Sequence, residues 1–217
     1  MRRAEGEVRS EMVRFGRLLY EKRLVTGLSG NISARVDENT LLISPSGRCK
    51  GDLSTDELVR MSIKEGKVMS GGEPSMETPF HLAFYRERED IGGVVHAHPL
   101  FCTLLACSGT TVRTDLTPEG LIYLGEVAFI PYSMPGTEGL MENIRSAMKG
   151  RHSFLLENHG AVTVGKDLAE AYYRMETLEF LAQLQVLSQI SGGTKALSPS
   201  QVQELLVLMK KDGQVYR

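Results

Sequence analysis

Turn-joined strand pairs alternate with helical segments along this 217-residue chain, and that alternation narrows the folds open to it. ISARV and LLIS are separated only by Asp37-Glu38-Asn39-Thr40, and VRMSI and KVMS flank Glu65-Gly66. Gaps so short imply antiparallel pairing, because a parallel crossover needs about a dozen residues or more. Downstream, GGVVHAH and EVAFIPY read as strands, and SFLLENHGAVTVG as a strand pair turning near Asn158-His159-Gly160. Helical patterns lie among them. Val8, Met12, Phe15, Leu18 and Leu19 keep a helical period within residues 3–24, with Gly27 shortly past the end. Ser54 and Glu57 fit a capping box. Thr78-Pro79 reads as an N-cap and first helical position for a helix to about residue 88, and Pro99 opens another. Further helices are expected over 137–149, over 167–190 and from Ser198-Pro199 onward. Hairpins mixed with helices predict a mixed or antiparallel sheet sandwiched by helices rather than a doubly wound parallel one.

Length and composition bound the rest. At about 150 residues per domain, the chain is expected to form a single domain, 1–217, with a C-terminal helix and tail from about residue 198. A chain of this size can bury a sizeable core unaided, so a metal would serve chemistry more than folding. Lys+Arg 25 against Asp+Glu 27 leaves no global positive field to attract nucleic acid. The longest nearly apolar run, residues 100–107, is far too short to span a bilayer, and the N-terminus lacks the apolar core of a signal peptide. Cys49, Cys102 and Cys107 form no CxxC pair and cannot all pair within one chain, which points to a reducing cytoplasm.

The histidines carry the chemical signal. His96 and His98 sit at i and i+2, which on a strand puts both rings on one face, about 6.5–7 Å apart at Cα. Two neutral imidazoles so placed can converge on one divalent ion such as Zn²⁺; packing or hydrogen bonding would also account for HxH alone. His159 lies at a turn beside Gly160, which lets backbone approach closely. Glu77 stands at a helix entrance, where an acid also suits the helix dipole. His81 follows it by four residues on the same helix face, as a rival ligand or a supporting partner. His152, close to Lys149 and Arg151, reads as a solvated surface residue. Three histidines and one carboxylate suit a catalytic zinc shell if one ligand can yield to substrate or water.

Three loops supply a second signal. Ser29-Gly30-Asn31, Ser44-Pro45-Ser46-Gly47 and Gly71-Gly72-Glu73-Pro74-Ser75 expose backbone N–H groups and hydroxyls, the means by which neutral loops bind phosphate. Each also has the composition of an ordinary turn.

Taken in order, SGNIS, SPSG, PSMETPFH, VVHAHP, PYSMPGT and LLENHGAVTVG resemble the motifs of the class II aldolase/adducin family, over about residues 26–165. The pattern is most similar to that of the fuculose-phosphate aldolases. The resemblance implies a three-layer α/β/α sandwich around a mostly antiparallel sheet, and a cyclic homotetramer with active sites between subunits. It implies that Zn²⁺, or another divalent ion, is held by Glu77, His96, His98 and His159. It places substrate phosphate among Ser29, Gly30, Asn31, Ser46, Gly47, Ser75 and Met76, and it gives Tyr132 a role as proton donor across a subunit boundary. Glu77 would be the base. Met76 departs from the family's serine and offers phosphate only its backbone N–H.

The activity so implied is aldol cleavage of a ketose 1-phosphate to dihydroxyacetone phosphate and a short aldehyde such as lactaldehyde. Alternatives on the same scaffold are a pentose-phosphate 4-epimerase, a methylthioribulose- or 5-deoxyribulose-phosphate aldolase or dehydratase, and a decarboxylase. A metal-free adducin-like interaction module predicts lost ligands, whereas all four candidate ligands are present. Tyr216 in the C-terminal tail is a candidate for aldehyde specificity.

Overall fold

The computed structural model describes residues 4–211; Tyr216 lies outside them. In chain order the regular elements are α1 (Glu5–Glu21), β1 (Asn31–Arg35), β2 (Thr40–Ile43), β3 (Val59–Ser62), β4 (Val68–Ser70), α2 (Thr78–Glu87), β5 (Gly93–Ala97), α3 (Leu100–Cys107), β6 (Val127–Ile130), α4 (Glu138–Ala147), β7 (Ser153–Leu156), β8 (Gly160–Gly165), α5 (Leu168–Ile190) and α6 (Pro199–Lys211). The strands form one sheet in the order β4-β3-β2-β1-β5-β8-β7-β6. Adjacent strands run antiparallel except β6 and β7, which are parallel.

The period-2 alternation of strand side chains sorts the core into two apolar layers. Ile32, Ala34, Val95, Ala97, Leu155 and Ala161 pack with residues of α1, α3 and α5. Leu41, Ile43, Val94, Phe154, Leu156, Val162 and Val164 pack with residues of α2 and α4 on the other side. The architecture is therefore the α/β/α sandwich about a mostly antiparallel sheet. In α1, Val8, Met12, Phe15 and Leu19 are all buried, and each such side chain contributes about 1.5–3 kcal/mol of hydrophobic stabilisation.

Local details differ from the sequence expectation. Helix α1 stops because Arg23, not a glycine, takes the left-handed conformation at φ 58°, with Leu24 N–H donating back to the Leu19 carbonyl. At α2 the N-cap position falls to Glu77, while the Thr78 hydroxyl donates to the Ser75 carbonyl at 2.6 Å. That hydrogen bond ties the loop before α2 to its first turn. The capping box at Ser54 and Glu57 is present, and Asp167 caps α5 by accepting from Glu170 N–H. The 3₁₀ turn at Lys50–Asp52 and the π-helical turn at Gly120–Leu124 had no recognisable signal in the sequence.

Candidate metal and substrate site

The site forms where the central strands end. In the β1–β5 ladder Asn31 lies directly across from His96, and in the β5–β8 ladder Ala97 pairs with Ala161. His98 follows the last residue of β5, and His159 precedes the first residue of β8. Asn158, at φ 53°, makes the turn that presents His159. Gly160 is required there: a Cβ would come within 2.6 Å of both the Ala97 carbonyl oxygen and His98 Cδ2. Gly30, at φ 73°, has the same logic on the other flank, since a Cβ would sit 2.8 Å from the His96 carbonyl oxygen.

The three imidazoles converge. One nitrogen from each of His96, His98 and His159 lies within 4.8 Å of the others. His96 Nδ1 is 3.0 Å from the Ala161 carbonyl oxygen, which can only accept, so Nδ1 carries the hydrogen. A neutral His96 therefore presents the Nε2 lone pair to Glu77 Oε2 at 3.1 Å, and to His98 Nε2 at 3.0 Å, from which it can accept in one His98 tautomer. Electron pairs facing one another at these distances repel unless a cation stands among them. Glu77 Oε1, 3.5 Å from His159 Nε2, is buried and accepts no hydrogen bond. Buried acceptors normally find a partner. A proton meets part of this need, and a divalent ion meets all of it, because tetrahedral ligands at about 2.0–2.1 Å stand about 3.3 Å apart. The residues fit a metal.

Protonation states agree with that reading. Burial, then the closeness of the titratable His96, lowers His98 to about 3, and the same two causes lower His159 to about 4. Both rings are thus neutral at pH 7, as ligands must be. Burial would raise the Glu77 carboxyl, but its contacts with His96, then the Asn31 hydrogen bond, hold it below the usual carboxylate range.

Behind Glu77 runs a directed chain of hydrogen bonds. Asn31 Nδ2–H donates to Glu77 Oε2 at 2.8 Å, so its Oδ1 must face the other way and accept from His81 Nε2–H at 2.5 Å. His81 Nδ1 is then the acceptor for Ser33 O–H at 2.6 Å, and Ser33 Oγ accepts from Tyr85 O–H at 2.9 Å. One assignment of protons satisfies every link. His81 is consequently a supporting partner and lies outside the three-histidine group. Burial, then the closeness of His96, lowers it to about 3, which keeps it neutral for this task. Ser33, two residues beyond Asn31 on the same strand face, and Tyr85, one helical turn beyond His81, were legible only by spacing. His152 differs from its expectation: it is half-buried, with Nε2 2.9 Å from an Arg88 guanidinium nitrogen, and burial followed by Arg174 and Arg88 lowers it to about 4.

A cavity of about 250 Å³ opens beside the histidines, lined by Ser29, Gly30, Asn31, Ser46, Gly47, Ser75, Met76, Glu77, His98 and His159 among others. The three candidate phosphate loops therefore meet, and they meet next to Glu77. The SPSG loop is tied to the loop before α2 by a bridge between Pro45 and Pro74 and by Ser46 N–H donating to the Glu73 carbonyl at 3.0 Å. Gly47 holds φ 66°, and Met76 is 81% exposed. Ser75 Oγ accepts from Glu77 N–H, and Ser29 Oγ from Thr26 N–H, which leaves both hydroxyl hydrogens available to a ligand. Tyr132 does not join this group within the chain: its side chain is exposed, and its N–H donates to Glu157 Oε2. Lys50 lines the same cavity and was not singled out by sequence.

Three converging imidazoles and a carboxylate beside a cavity of about 250 Å³ make a site that could hold a divalent ion next to a small polar ligand. The family described as Class II Aldolase and Adducin N-terminal domain matches residues 10–186, and the chain belongs to it. A 3-oxo-tetronate 4-phosphate decarboxylase from Pectobacterium atrosepticum is 36% identical, over 83% of this chain and 84% of its own. An L-fuculose phosphate aldolase from Methanococcus maripaludis is 34% identical, over 84% of this chain and 98% of its own. Among solved structures, an L-fuculose 1-phosphate aldolase superposes with TM-score 0.86 at 29% identity, covering 95% of this chain and 98% of that one. The YgbL protein of Escherichia coli superposes with TM-score 0.88 at 31% identity, over 94% and 99%.

Proposed function

We propose that this chain is a zinc-dependent aldolase that cleaves a ketose 1-phosphate to dihydroxyacetone phosphate and a short aldehyde. The observation that carries this reading is the buried, unsatisfied Glu77 Oε1 between three converging imidazoles and the phosphate-loop cavity. Glu77, His96, His98 and His159 would hold the ion. When bound, Zn²⁺ or another divalent cation supplies Lewis-acid stabilisation of negative charge on the substrate carbonyl oxygen. The hydroxyls of Ser29, Ser46 and Ser75, the second Asn31 amide hydrogen and the N–H groups of Gly47 and Met76 would grip the phosphate and fix the reacting carbons over Glu77.

In the cleavage direction the C4 hydroxyl gives up its proton, the C3–C4 bond breaks, and its electron pair stays on C3 as the aldehyde departs. Tyr132 of the partner subunit would relay the hydroxyl proton to water, giving up its own phenol proton as it takes the new one, and Glu77, carrying a proton taken from water, would deliver it to C3 and end as the carboxylate. Condensation runs the same steps backward, with Glu77 as the base. Asn31 holds the carboxylate for this transfer, and a homotetramer brings Tyr132 to the site.

Phosphorylated 3-oxo acid decarboxylation is a second reading, favoured by the 36% identical decarboxylase. It too leaves an electron pair on the carbon beside a carbonyl, so the same Glu77 proton delivery serves. Zinc-loaded protein offered fuculose 1-phosphate, ribulose 1-phosphate and 3-oxo-tetronate 4-phosphate separates them. Release of dihydroxyacetone phosphate is expected from a 1-phosphate. Carbon dioxide from the 3-oxo acid with no cleavage of either 1-phosphate would replace the first reading with the second.

A further inference from the structure

Lys50 is 2% exposed, yet it lines the cavity formed by the three loops. Lysine is among the residues least often buried unless paired. Its ammonium donates to the Leu28 carbonyl at 3.2 Å and to the Arg48 carbonyl. These carbonyls belong to the residue before Ser29 and the residue after Gly47, so one side chain braces two of the phosphate loops. An ammonium has three donors, and two are accounted for. Among the described residues no carboxylate lies within ion-pair distance of it. The neighbouring cation, Arg48, is different: its guanidinium is paired with Glu57. Burial pushes the Lys50 ammonium below its ordinary range, with the neighbouring Cys49 opposing the shift.

We propose that Lys50 is the cationic anchor for the substrate's phosphate dianion, with its third N–H and its charge completing the cradle that the neutral loops begin. The inference rests on the phosphorylated-substrate reading and names the group that selects for it. Backbone N–H groups and hydroxyls hold an anion by dipoles, whereas a buried ammonium gives a charge-assisted hydrogen bond about twice as strong. A substrate lacking phosphate would leave that charge buried and unpaired, so the anchor also rejects neutral sugars. The chain's near-neutral surface is no obstacle, since the required positive charge is held inside the site.

The test uses inorganic phosphate and the metal-free full chain, so it does not depend on any reaction being found. Lys50→Gln keeps two N–H donors for the Leu28 and Arg48 carbonyls while removing the charge; Lys50→Met removes both. Titration calorimetry should show phosphate binding weakened about tenfold or more in Lys50→Gln, with zinc content on reconstitution unchanged. Binding within about twofold of wild type would overturn the proposal. Should Lys50→Gln not fold, a crystal of the wild-type protein with phosphate decides: an anion oxygen within hydrogen-bond distance of Lys50 Nζ supports the anchor, and an anion seated in the loops beyond that reach refutes it. Phosphate binding that depends on Lys50 in a protein without aldolase or decarboxylase activity would keep the anchor and discard the reaction.

Discussion

Replacing His81 with phenylalanine isolates the hydrogen-bond chain behind Glu77. The ring size is nearly kept, and the packing against Phe80, with ring centroids 4.6 Å apart, can persist, so little cavity forms. What is lost is both nitrogens. Asn31 Oδ1 then has no donor and Ser33 O–H no acceptor, and both residues are buried, at 4% and 0% exposure. Each unsatisfied buried group costs about 1–3 kcal/mol, so the two together should destabilise metal-free His81→Phe by about 2–6 kcal/mol. Rotation of the Asn31 amide offers no escape, because it would aim Oδ1 at the Glu77 carboxylate. Urea unfolding of wild type and variant, compared at equal slope, measures the loss. A second arm tests the coupling: with Asn31→Ala already made, His81→Phe should cost at least about 1 kcal/mol less than alone. A loss below about 0.5 kcal/mol, or strict additivity, would refute the directed chain.

Three further predictions follow from the same geometry. Glu77→Gln should fold normally but lose turnover by at least about a hundredfold, because a primary amide cannot shuttle the proton; near-normal turnover would remove Glu77 as the acid–base group. His96→Ala and His159→Ala should each lower zinc content by about tenfold or more relative to wild type at matched free metal, and unchanged content by elemental analysis would contradict the ligand assignment. The metal-free protein should lose stability on acidification from about pH 6.5. His81 and His98, lowered to about 3, and His152 and His159, lowered to about 4, bind protons more readily when unfolded. The unfolded chain therefore holds more protons across that window, and stability present above it declines as pH falls toward 4. A melting temperature that stays flat between about pH 7 and 4.5 would contradict this.

Much of the architecture was readable because its signals are local. Short turns dictated antiparallel neighbours, the helical period of α1 marked its buried face, and Asp167 and Pro79 marked helix starts. His96 and His98 shared a face by strand geometry alone, and the glycine after His159 signalled a close approach. The motif order then tied six separated segments to one family. None of this located the segments in space.

Tertiary structure decided which of these groups act together, and the reason is distance along the chain. Glu77 Oε2 meets Asn31 across 46 residues and His81 reaches Ser33 across 48, contacts that only sheet register and the seating of α2 can create. The parallel pairing of β6 with β7 had no local signature because it depends on a crossover through α4. His81 was ambiguous in sequence, being both one turn from Glu77 and a good ligand; the packed position of Asn31 made it a hydrogen-bond donor. Lys50 gave no signal, since a lysine after a glycine-rich turn looks like a solvated surface residue until the fold buries it. The sequence by itself determined the layered class and the chemical types available to the site. Burial, proton placement and the meeting of the three loops were decided by the three-dimensional packing, because each depends on neighbours supplied by other elements.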